Sequence, residues 1–224
     1  MNTEKFTGKA EAYAKARPGY PGAAIEYLCG LVPQDAVFAD IGAGTGKFTE
    51  LLAQKGYNLF AVEPNADMRE QLAVTLKPYP NAIVVNGSAE VTMLDDQSID
   101  VITCAQALHW FDPDGFRAEC RRIGKPNAIV MAIYNVTPGG SSVLHSKQAP
   151  AAFFVNPTMR EFSNPILYTR EQWIAYRMSH ALDPLPSASG YAAHITEVNE
   201  QFDRESMDGF LQRDIVTKLF HADI

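Results

Sequence analysis

The sequence lacks a long hydrophobic run, an excess of basic residues and a signal-peptide pattern. No run approaches the roughly 20 apolar residues of a membrane-spanning helix, so no membrane partner is predicted. The formal net charge of −7 repels nucleic-acid phosphates and disfavours a nucleic acid as partner. Residues 1–6 carry no hydrophobic region of the secretory type, and we therefore expect a cytoplasmic protein.

Cysteine is scarce, and its pattern matches no metal centre. The three residues Cys29, Cys104 and Cys120 are an odd number and lie in apolar surroundings. Packed, reduced thiols of a cytosolic protein explain them most simply. Their spacing fits no zinc site, so no metal is predicted.

The hydrophobic residues, 46% of 224, are enough for one α/β domain. Short apolar runs alternate with helical patterns up to residue 135, which predicts a doubly wound, mainly parallel Rossmann-like sheet. We divide the single domain 1–224 into an N-terminal arm (1–21), a cofactor-binding core (22–135) and a lid with edge strands (136–224). The five strands predicted in the core are residues 36–41, 57–62, 82–85, 99–104 and 128–134.

The C-terminal third carries weaker patterns. Residues 137–142 are predicted to form a loop, and Thr169 with Gln172 matches a capping box that opens a helix. A further helix is predicted from Tyr191 to Phe202 and a last strand from Asp214 to His221. We interpret this part as a small helical lid plus one or two edge strands.

A glycine-rich segment follows the first predicted strand. Gly42, Gly44 and Gly46 occupy alternate positions after Asp40, and a helical pattern begins next. Such glycines let the backbone turn sharply and approach a ligand, towards which the helix directs its free N–H groups. Glu63 ends the second strand, where a carboxylate can accept hydrogen bonds from two ribose hydroxyls. The pattern predicts a nucleoside-containing cofactor at the carboxyl edge of the sheet, although a tight turn and an exposed acid are the simpler alternatives.

The glycine spacing separates the candidate cofactors. The dinucleotide motif G-x-G-x-x-G places its third glycine one residue later than Gly46. Only three residues separate Gly42 from Gly46, and Phe48 follows Lys47, so the phosphate loop of nucleoside triphosphatases is excluded.

Several segments together resemble class I S-adenosylmethionine-dependent methyltransferases. Residues 40–46 resemble the first motif of that family, Glu63-Pro64-Asn65 with Met68 the second, and residues 87–90 the element beside adenine. Residues 105–111 and the N-terminal pattern from Phe6 to Pro21 are similar to the type 11 small-molecule subgroup, which includes trans-aconitate methyltransferase. The resemblance implies a seven-stranded sheet, S-adenosylmethionine as cofactor and methyl transfer to a small molecule.

The same resemblance implies which residues form the site. Gln106 and His109 are the candidate catalytic residues, and Trp110 and Tyr13 the candidate substrate contacts, although His109 and Trp110 also fit structural roles. The expected cofactor contacts are Asp40, Gly42, Ala43, Gly44, Thr45, Gly46, Glu63, Pro64, Met68, Ser88, Ala89, Glu90, Gln106, Tyr13 and Arg17.

Three of these residues have specific expected roles. Tyr13 and Arg17, four residues apart, would share a helix face, either as a solvated arm or as a cover over the cofactor. In the second case Arg17 pairs with a carboxylate of cofactor or substrate. His109 would take a proton from a substrate hydroxyl or carboxyl.

The expected reaction is O-, N- or C-methylation, with a carboxylate or hydroxyl acceptor favoured. Two alternatives stay open: an NAD-dependent oxidoreductase, which shares the sheet and the ribose acid, and a non-catalytic module with a decayed substrate site. The sequence is compatible with a monomer or a homodimer.

Overall fold

A computed structural model describes residues 17–137, 152–179, 184 and 186–224. Tyr13, most of the predicted arm and most of the predicted loop 137–142 lie outside the described residues. The strands are β1 Val37–Ile41, β2 Asn58–Val62, β3 Ala82–Val85, β4 Ile99–Ala105, β5 Gly124–Val136, β6 Thr158–Tyr168 and β7 Leu211–Asp223. The α-helices in these ranges are α1 Gly22–Cys29, α2 Thr49–Gln54, α3 Ala66–Leu76, α4 Pro113–Ile123, α5 Arg170–Met178 and α6 Tyr191–Glu205; a short 3-10 helix spans Leu108–Trp110.

The seven strands form one sheet in the order β3-β2-β1-β4-β5-β7-β6. Strands β1 to β5 are parallel to one another, and β7 runs antiparallel to both β5 and β6. The predicted α/β class and mainly parallel Rossmann-like sheet are therefore confirmed. The strand order reverses between β1 and β4, and the carboxyl ends at such a point form the usual ligand crevice of an open α/β sheet.

Two apolar layers cover the sheet, as its buried strands require. On one face the buried residues of α1, α2 and α3, such as Leu28, Leu52 and Leu72, pack against β1 and β2. On the other face Phe116 and Ile123 of α4 lead the packing against β4 and β5. These layers fix the strand ends that carry the candidate site.

Three helices begin at capping residues. Asp112 caps α4 by accepting the Gly115 N–H at 2.7 Å, and a proline occupies the first turn. Asn65 caps α3 by accepting the Met68 N–H at 3.0 Å. The capping box of Thr169 opens α5.

The last two strands project beyond the rest of the sheet. The β5–β7 pairing ends at Val136 opposite Val216, whereas the β6–β7 pairing continues to Tyr168 opposite Leu211. Helices α5 and α6 pack on this extension, and we call the extension with both helices the lid. Its buried apolar residues are Tyr168, Trp173, Val198, Phe202 and Leu211.

Two strands differ from their predicted bounds by more than one residue, and one strand was not located. Strand β5 begins at Gly124 rather than Ala128, next to a register shift in the β4 pairing between Ile99 and Val101. Strand β7 is longer at both ends than predicted. Strand β6 lies at the sheet edge and is mostly exposed, so it has little of the apolar pattern that identifies the inner strands.

Within the described ranges of the chain, no helix is long and apolar enough to cross a membrane. The same ranges contain no cluster of three or more acidic, histidine or cysteine side chains suited to a metal ion. The three cysteines form no disulfide.

Candidate active site

The glycine loop joins β1 to α2 through three left-handed residues. Gly42, Gly44 and Gly46 have φ angles of +70°, +58° and +89°. A Cβ atom at Gly42 would lie 3.0 Å from Ala107 Cβ, and one at Gly46 would lie 2.8 Å from Leu72 Cδ1. At Gly44 nothing lies within 4 Å of such an atom, so the middle of the loop faces open space. A ligand can therefore approach the backbone at Gly44, while the flanking glycines allow close packing.

The carboxylate of Glu63 is turned back onto this loop. Its Oε2 accepts the Gly44 N–H at 2.9 Å, and its Oε1 accepts the Asn65 N–H at 2.9 Å. Burial raises the pKa of Glu63, whereas the N–H groups of Asn65 and Gly44 and the charge of Arg69 lower it. The side chain is thus placed at the carboxyl end of β2, next to strand β1 of the topological switch point.

The donors and acceptors present fit the ribose of a nucleoside cofactor. An ionised carboxylate offers about four lone-pair sites. Two sites of Glu63 receive backbone N–H groups, which leaves one on each oxygen for a ribose hydroxyl. Thr45 adds a buried hydroxyl without a hydrogen-bond partner in the glycine loop. The loop therefore combines open backbone with free acceptor capacity.

Asp40 organises the base of the loop from within the core. It is fully buried; Thr49 donates to its Oδ2 at 2.5 Å and Thr103 to its Oδ1 at 3.0 Å. Burial raises the pKa of Asp40 to about 7, with a contribution from nearby Glu63, while the two hydroxyls oppose the shift. The two threonine hydroxyls connect Asp40 at the end of β1 with α2 and β4, and so orient the loop that follows β1.

Ala43, Pro64 and Met68 frame the same region. Ala43 accepts the Gly46 N–H through its carbonyl at 3.0 Å and packs on the apolar layer of β1. The carbonyl of Pro64 accepts a hydrogen bond from Arg69 at 2.9 Å. Met68 is buried in the first turn of α3.

The loop after β3 makes mainly internal contacts. Ser88 accepts the N–H groups of Glu90 and Val91 through its hydroxyl, at 3.3 and 3.1 Å. Ala89 is buried in the core, and Glu90 accepts the N–H of Asp112 at 3.0 Å. These bonds hold the loop against the start of α4, and its contact with adenine stays a prediction.

Gln106 follows β4 in a left-handed conformation with φ +56°. This conformation is uncommon for a residue other than glycine and often occurs at functional sites. The Gln106 N–H donates to the carbonyl of Ile133 at 2.9 Å, and its side-chain amide donates to the carbonyl of Asn135 at 3.3 Å. The carboxyl ends of β4 and β5 are thereby linked beside the switch point.

His109 and Trp110 lie in the 3-10 helix that follows. Their ring centroids are 4.7 Å apart, and the centroid of Tyr134 lies 6.4 Å from that of His109. Nδ1 of His109 is buried without a hydrogen-bond partner. Burial lowers the pKa of His109 to about 4, with a smaller contribution from the charge of Arg17. The imidazole is therefore neutral at pH 7.

Arg17 connects the glycine loop to the lid. Its guanidinium donates to the carbonyl of Ser179 at 3.3 Å and lies 5.8 Å from the ring centroid of Tyr176. Its own carbonyl accepts a hydrogen bond from the ammonium of Lys47. Burial lowers the pKa of Lys47, and the charge of Arg17 lowers it further. Arg17 thus contacts both Lys47, which follows the glycine loop, and the end of α5.

The arm is fastened to the sheet two residues later. The Gly19 carbonyl accepts N–H groups from Asn135 and Asn164, each at 3.0 Å. Thr217 donates its hydroxyl to the Asn135 side-chain oxygen at 2.6 Å. Residues 17–19 are thereby attached to the end of β5 and to the middle of β6.

The structure brings together most of the predicted site residues around the ends of β1, β2 and β4. The sequence analysis missed the two threonines that hold Asp40 and the asparagines that hold Gly19. Their positions, at the start of α2, late in β4 and β5 and within β6, are compatible with ordinary packing, so the sequence offers no signal for them. These positioning residues are Thr49, Thr103, Asn135 and Asn164.

The fold and this geometry agree with comparisons to known proteins. Residues 39–132 match the family model described as "Methyltransferase domain". An uncharacterized methyltransferase of Mycobacterium tuberculosis is 35% identical over 130 residues, which are 58% of this chain and 51% of that protein. The chain therefore spans about half the length of this curated relative.

Solved structures show the same fold. One, described as a type II methyltransferase from Anaeromyxobacter dehalogenans, has a TM-score of 0.65 at 21% identity and covers 92% of this chain and 96% of its own. A phosphoethanolamine N-methyltransferase of Haemonchus contortus, in complex with phosphomonomethylethanolamine and S-adenosylhomocysteine, has a TM-score of 0.60 at 15% identity, over 99% of this chain and 58% of its own.

Residues 39–132 thus resemble a methyltransferase domain, and the fold is that of the solved methyltransferase structures. The cofactor of such a domain is S-adenosylmethionine, and the open Gly44 backbone and the free acceptor sites of Glu63 fit its ribose.

Proposed function

We propose that this chain transfers a methyl group from S-adenosylmethionine to a small-molecule acceptor. The observation that carries the proposal is the contact of Glu63 with Gly44, which sets a carboxylate with free acceptor sites against an open glycine backbone. When bound, S-adenosylmethionine supplies an activated methyl group on its sulfonium. The chain itself needs to bind and orient the cofactor and the acceptor and to exclude water.

At the cofactor end of the site, some residues contact the cofactor and Asp40 positions the loop. Glu63 accepts the two ribose hydroxyls, and the backbone around Gly44 lines the cofactor. The side chains that accompany them are the remaining predicted contacts on the loops after β2 and β3 and on α3: Pro64, Met68, Ser88, Ala89 and Glu90. Asp40 positions the loop through its two threonine partners.

The acceptor end of the site lies beside the 3-10 helix. Gln106 links the ends of β4 and β5, and His109 presents a buried ring nitrogen without a partner. Trp110 packs against His109, and its ring face can stabilise a nearby cation. We assign Gln106 and His109 to positioning the acceptor in line with the transferred methyl group.

A carboxylate acceptor suits this environment better than a hydroxyl. With a pKa lowered to about 4, His109 is a weak base and poorly matched to removing the proton of an alcohol. A carboxylate is already anionic at pH 7 and needs no base. The proposed product is therefore a methyl ester.

The remaining expectations belong to the same proposal. The chain carries a formal net charge of −7, which supports a small molecule rather than a nucleic acid as substrate. A cytoplasmic location and a monomeric or homodimeric state complete it.

The proposal is tested by methyl transfer from S-adenosylmethionine labelled in its methyl group. The purified protein is incubated with a panel of small carboxylic acids, alcohols and amines, and labelled product and S-adenosylhomocysteine are quantified together. Label in an acid, with product formation abolished by Glu63→Ala, supports the proposal. Binding of S-adenosylhomocysteine without turnover of any acceptor favours the non-catalytic alternative instead.

A further inference from the structure

We propose that Tyr168, Trp173 and Arg17 recognise a carboxylate group of the methyl acceptor beneath the lid. This inference rests on the proposed function and names the chemical class of its acceptor. Neither Tyr168 nor Trp173 was predicted as a site residue, because one ends the unlocated strand β6 and the other lies inside α5.

Both aromatic side chains carry a buried hydrogen-bond donor that has no acceptor. Tyr168 and Trp173 are each 3% exposed, and neither the Tyr168 hydroxyl nor the Trp173 Nε1 has a hydrogen-bond partner. A buried donor without a partner is destabilising, so native proteins keep few of them. Two such donors in one cluster, with ring centroids 5.5 Å apart, indicate an acceptor that comes from a ligand.

The charges around this cluster indicate an anionic ligand. The positive charges of Arg17 and Arg213 both act on the Tyr168 hydroxyl and lower its pKa, although burial has the larger effect and raises it. The phenol therefore stays protonated and able to donate. Trp173 is also close to two guanidiniums, with Arg213 at 4.7 Å and Arg177 at 5.6 Å from its ring centroid. Buried donors in a positive environment select an anionic acceptor group.

Arg17 contacts this cluster and also acts on the proposed reaction centre. Tyr168 stacks near Tyr176 with ring centroids 5.1 Å apart, and Arg17 lies over the Tyr176 ring. The same Arg17 is close enough to His109 to lower its pKa. Arg17 thus connects the lid cluster with the 3-10 helix that carries the proposed acceptor-positioning residue.

A planar carboxylate matches this set. A guanidinium binds a carboxylate through two parallel N–H bonds, and the phenol and indole add single donors. An acceptor with two carboxylates can use one for recognition here and present the other to the methyl group. S-adenosylmethionine carries a carboxylate too, so the test has to separate these two sources.

The test uses the full chain saturated with S-adenosylhomocysteine and titrated calorimetrically with butyrate, succinate, glutarate and benzoate, each beside its neutral carboxamide. We expect at least one acid to bind and its carboxamide not to bind. In Tyr168→Phe the affinity for that acid falls tenfold or more, while the affinity for S-adenosylhomocysteine changes less than twofold. Trp173→Phe removes the N–H but keeps an aromatic ring, and it lowers the affinity for the acid in the same way.

Thermal stability separates recognition from structure. Because the Tyr168 hydroxyl has no partner in the free protein, Tyr168→Phe does not lower the Tm. The matched control Tyr79→Phe removes a hydroxyl that donates to Glu50 at 3.1 Å; it lowers the Tm and leaves acid binding unchanged. A lower Tm for Tyr168→Phe with unchanged acid binding overturns the inference, because the hydroxyl is then structural.

Three other results also overturn it. If no acid binds, or if the carboxamides bind equally well, the lid does not select an anion. If Tyr168→Phe lowers the affinity for S-adenosylhomocysteine instead, the recognised carboxylate belongs to the cofactor. Failure of the wild-type protein to bind S-adenosylhomocysteine removes the proposed function itself, and that result is visible before any acid is added.

Discussion

Glu63 accepts the backbone N–H of Gly44 at 2.9 Å, so the acid at the end of β2 is bonded to the middle glycine of the loop after β1. Adjacent parallel strands bring these two residues together although 19 positions separate them. The contact orients the carboxylate and leaves acceptor capacity on both oxygens. It explains why an acid and a glycine loop on neighbouring strands act as one binding unit.

Replacing Glu63 by alanine tests this unit. Loss of two hydrogen bonds to a charged acceptor, each about 1.5–3 kcal/mol, weakens S-adenosylhomocysteine binding roughly a hundredfold or more. Because the N–H groups of Gly44 and Asn65 lose their partner, the Tm falls as well. Calorimetric titration measures the affinity, with Glu70→Ala on the exposed face of α3 as control. Equal affinities in the two variants contradict the assignment.

Gly44→Ala separates backbone strain from loss of ligand space. Gly44 and Gly209 have φ angles of +58° and +81°, and a Cβ at either position meets nothing within 4 Å. Both alanine variants therefore lose a similar stability, about 1 kcal/mol or more. Only Gly44→Ala places its methyl group where the cofactor is proposed to lie.

We expect at least a tenfold loss of S-adenosylhomocysteine affinity in Gly44→Ala and none in Gly209→Ala. Urea unfolding gives the matched stability losses, and calorimetry gives the affinities. The account fails here if both variants bind as the wild-type protein does.

The strand pattern and the helix caps made the core predictable. Strand β3 has the predicted bounds, because its apolar run is bordered by turn residues. The start of α4 is specified locally by Asp112 and the proline after it, which need no tertiary information. The lid was predicted only in outline, because α5 and α6 are amphipathic but β6 is exposed.

The site was predictable where backbone chemistry restricts the residue type, and less so elsewhere. Glycines at three left-handed positions leave a readable pattern, as does an acid at a strand end. The partners of Asp40 come from α2 and β4, and Tyr168 and Trp173 become neighbours only through the lid fold. Contacts of this kind depend on long-range packing, which spacing along the chain does not encode.

Asp40 is predicted to make the protein less stable as the pH rises from about 4 to about 7. Its pKa is about 7 in the fold against 3.8 ordinarily, so between these values the native state holds a proton that the unfolded chain releases. Asp40→Asn does not titrate, and its stability relative to the wild-type protein therefore improves across this range. The amide can still accept from Thr49, while the Thr103 hydroxyl can turn to the Ala39 carbonyl at 3.5 Å.

Urea midpoints at pH 4.5, 6 and 8 measure this difference. The exposed Asp35→Asn serves as the control for the Asp-to-Asn change itself. Parallel profiles for the wild-type protein and Asp40→Asn would refute the buried-carboxylate account. Opposing titrations elsewhere in the chain cancel in the comparison.

His109 is predicted to protonate far below its ordinary pKa. Burial and the charge of Arg17 lower that pKa from 6.5 to about 4, so protonation destabilises the fold as the pH falls through this window. An NMR titration of the imidazole C–H signals measures it, with His109→Asn to assign the signal among the five histidines. Arg17→Met moves the midpoint upward because it removes the nearby charge. A midpoint at or above 6.5 in the wild-type protein contradicts this description of the site.

Calorimetric titration of the purified protein with S-adenosylmethionine, S-adenosylhomocysteine and NAD tests the central claim most directly. The account predicts micromolar affinity for the first two ligands and no binding of NAD. Binding of NAD alone would contradict it and would favour the oxidoreductase alternative, which shares the sheet and the ribose acid.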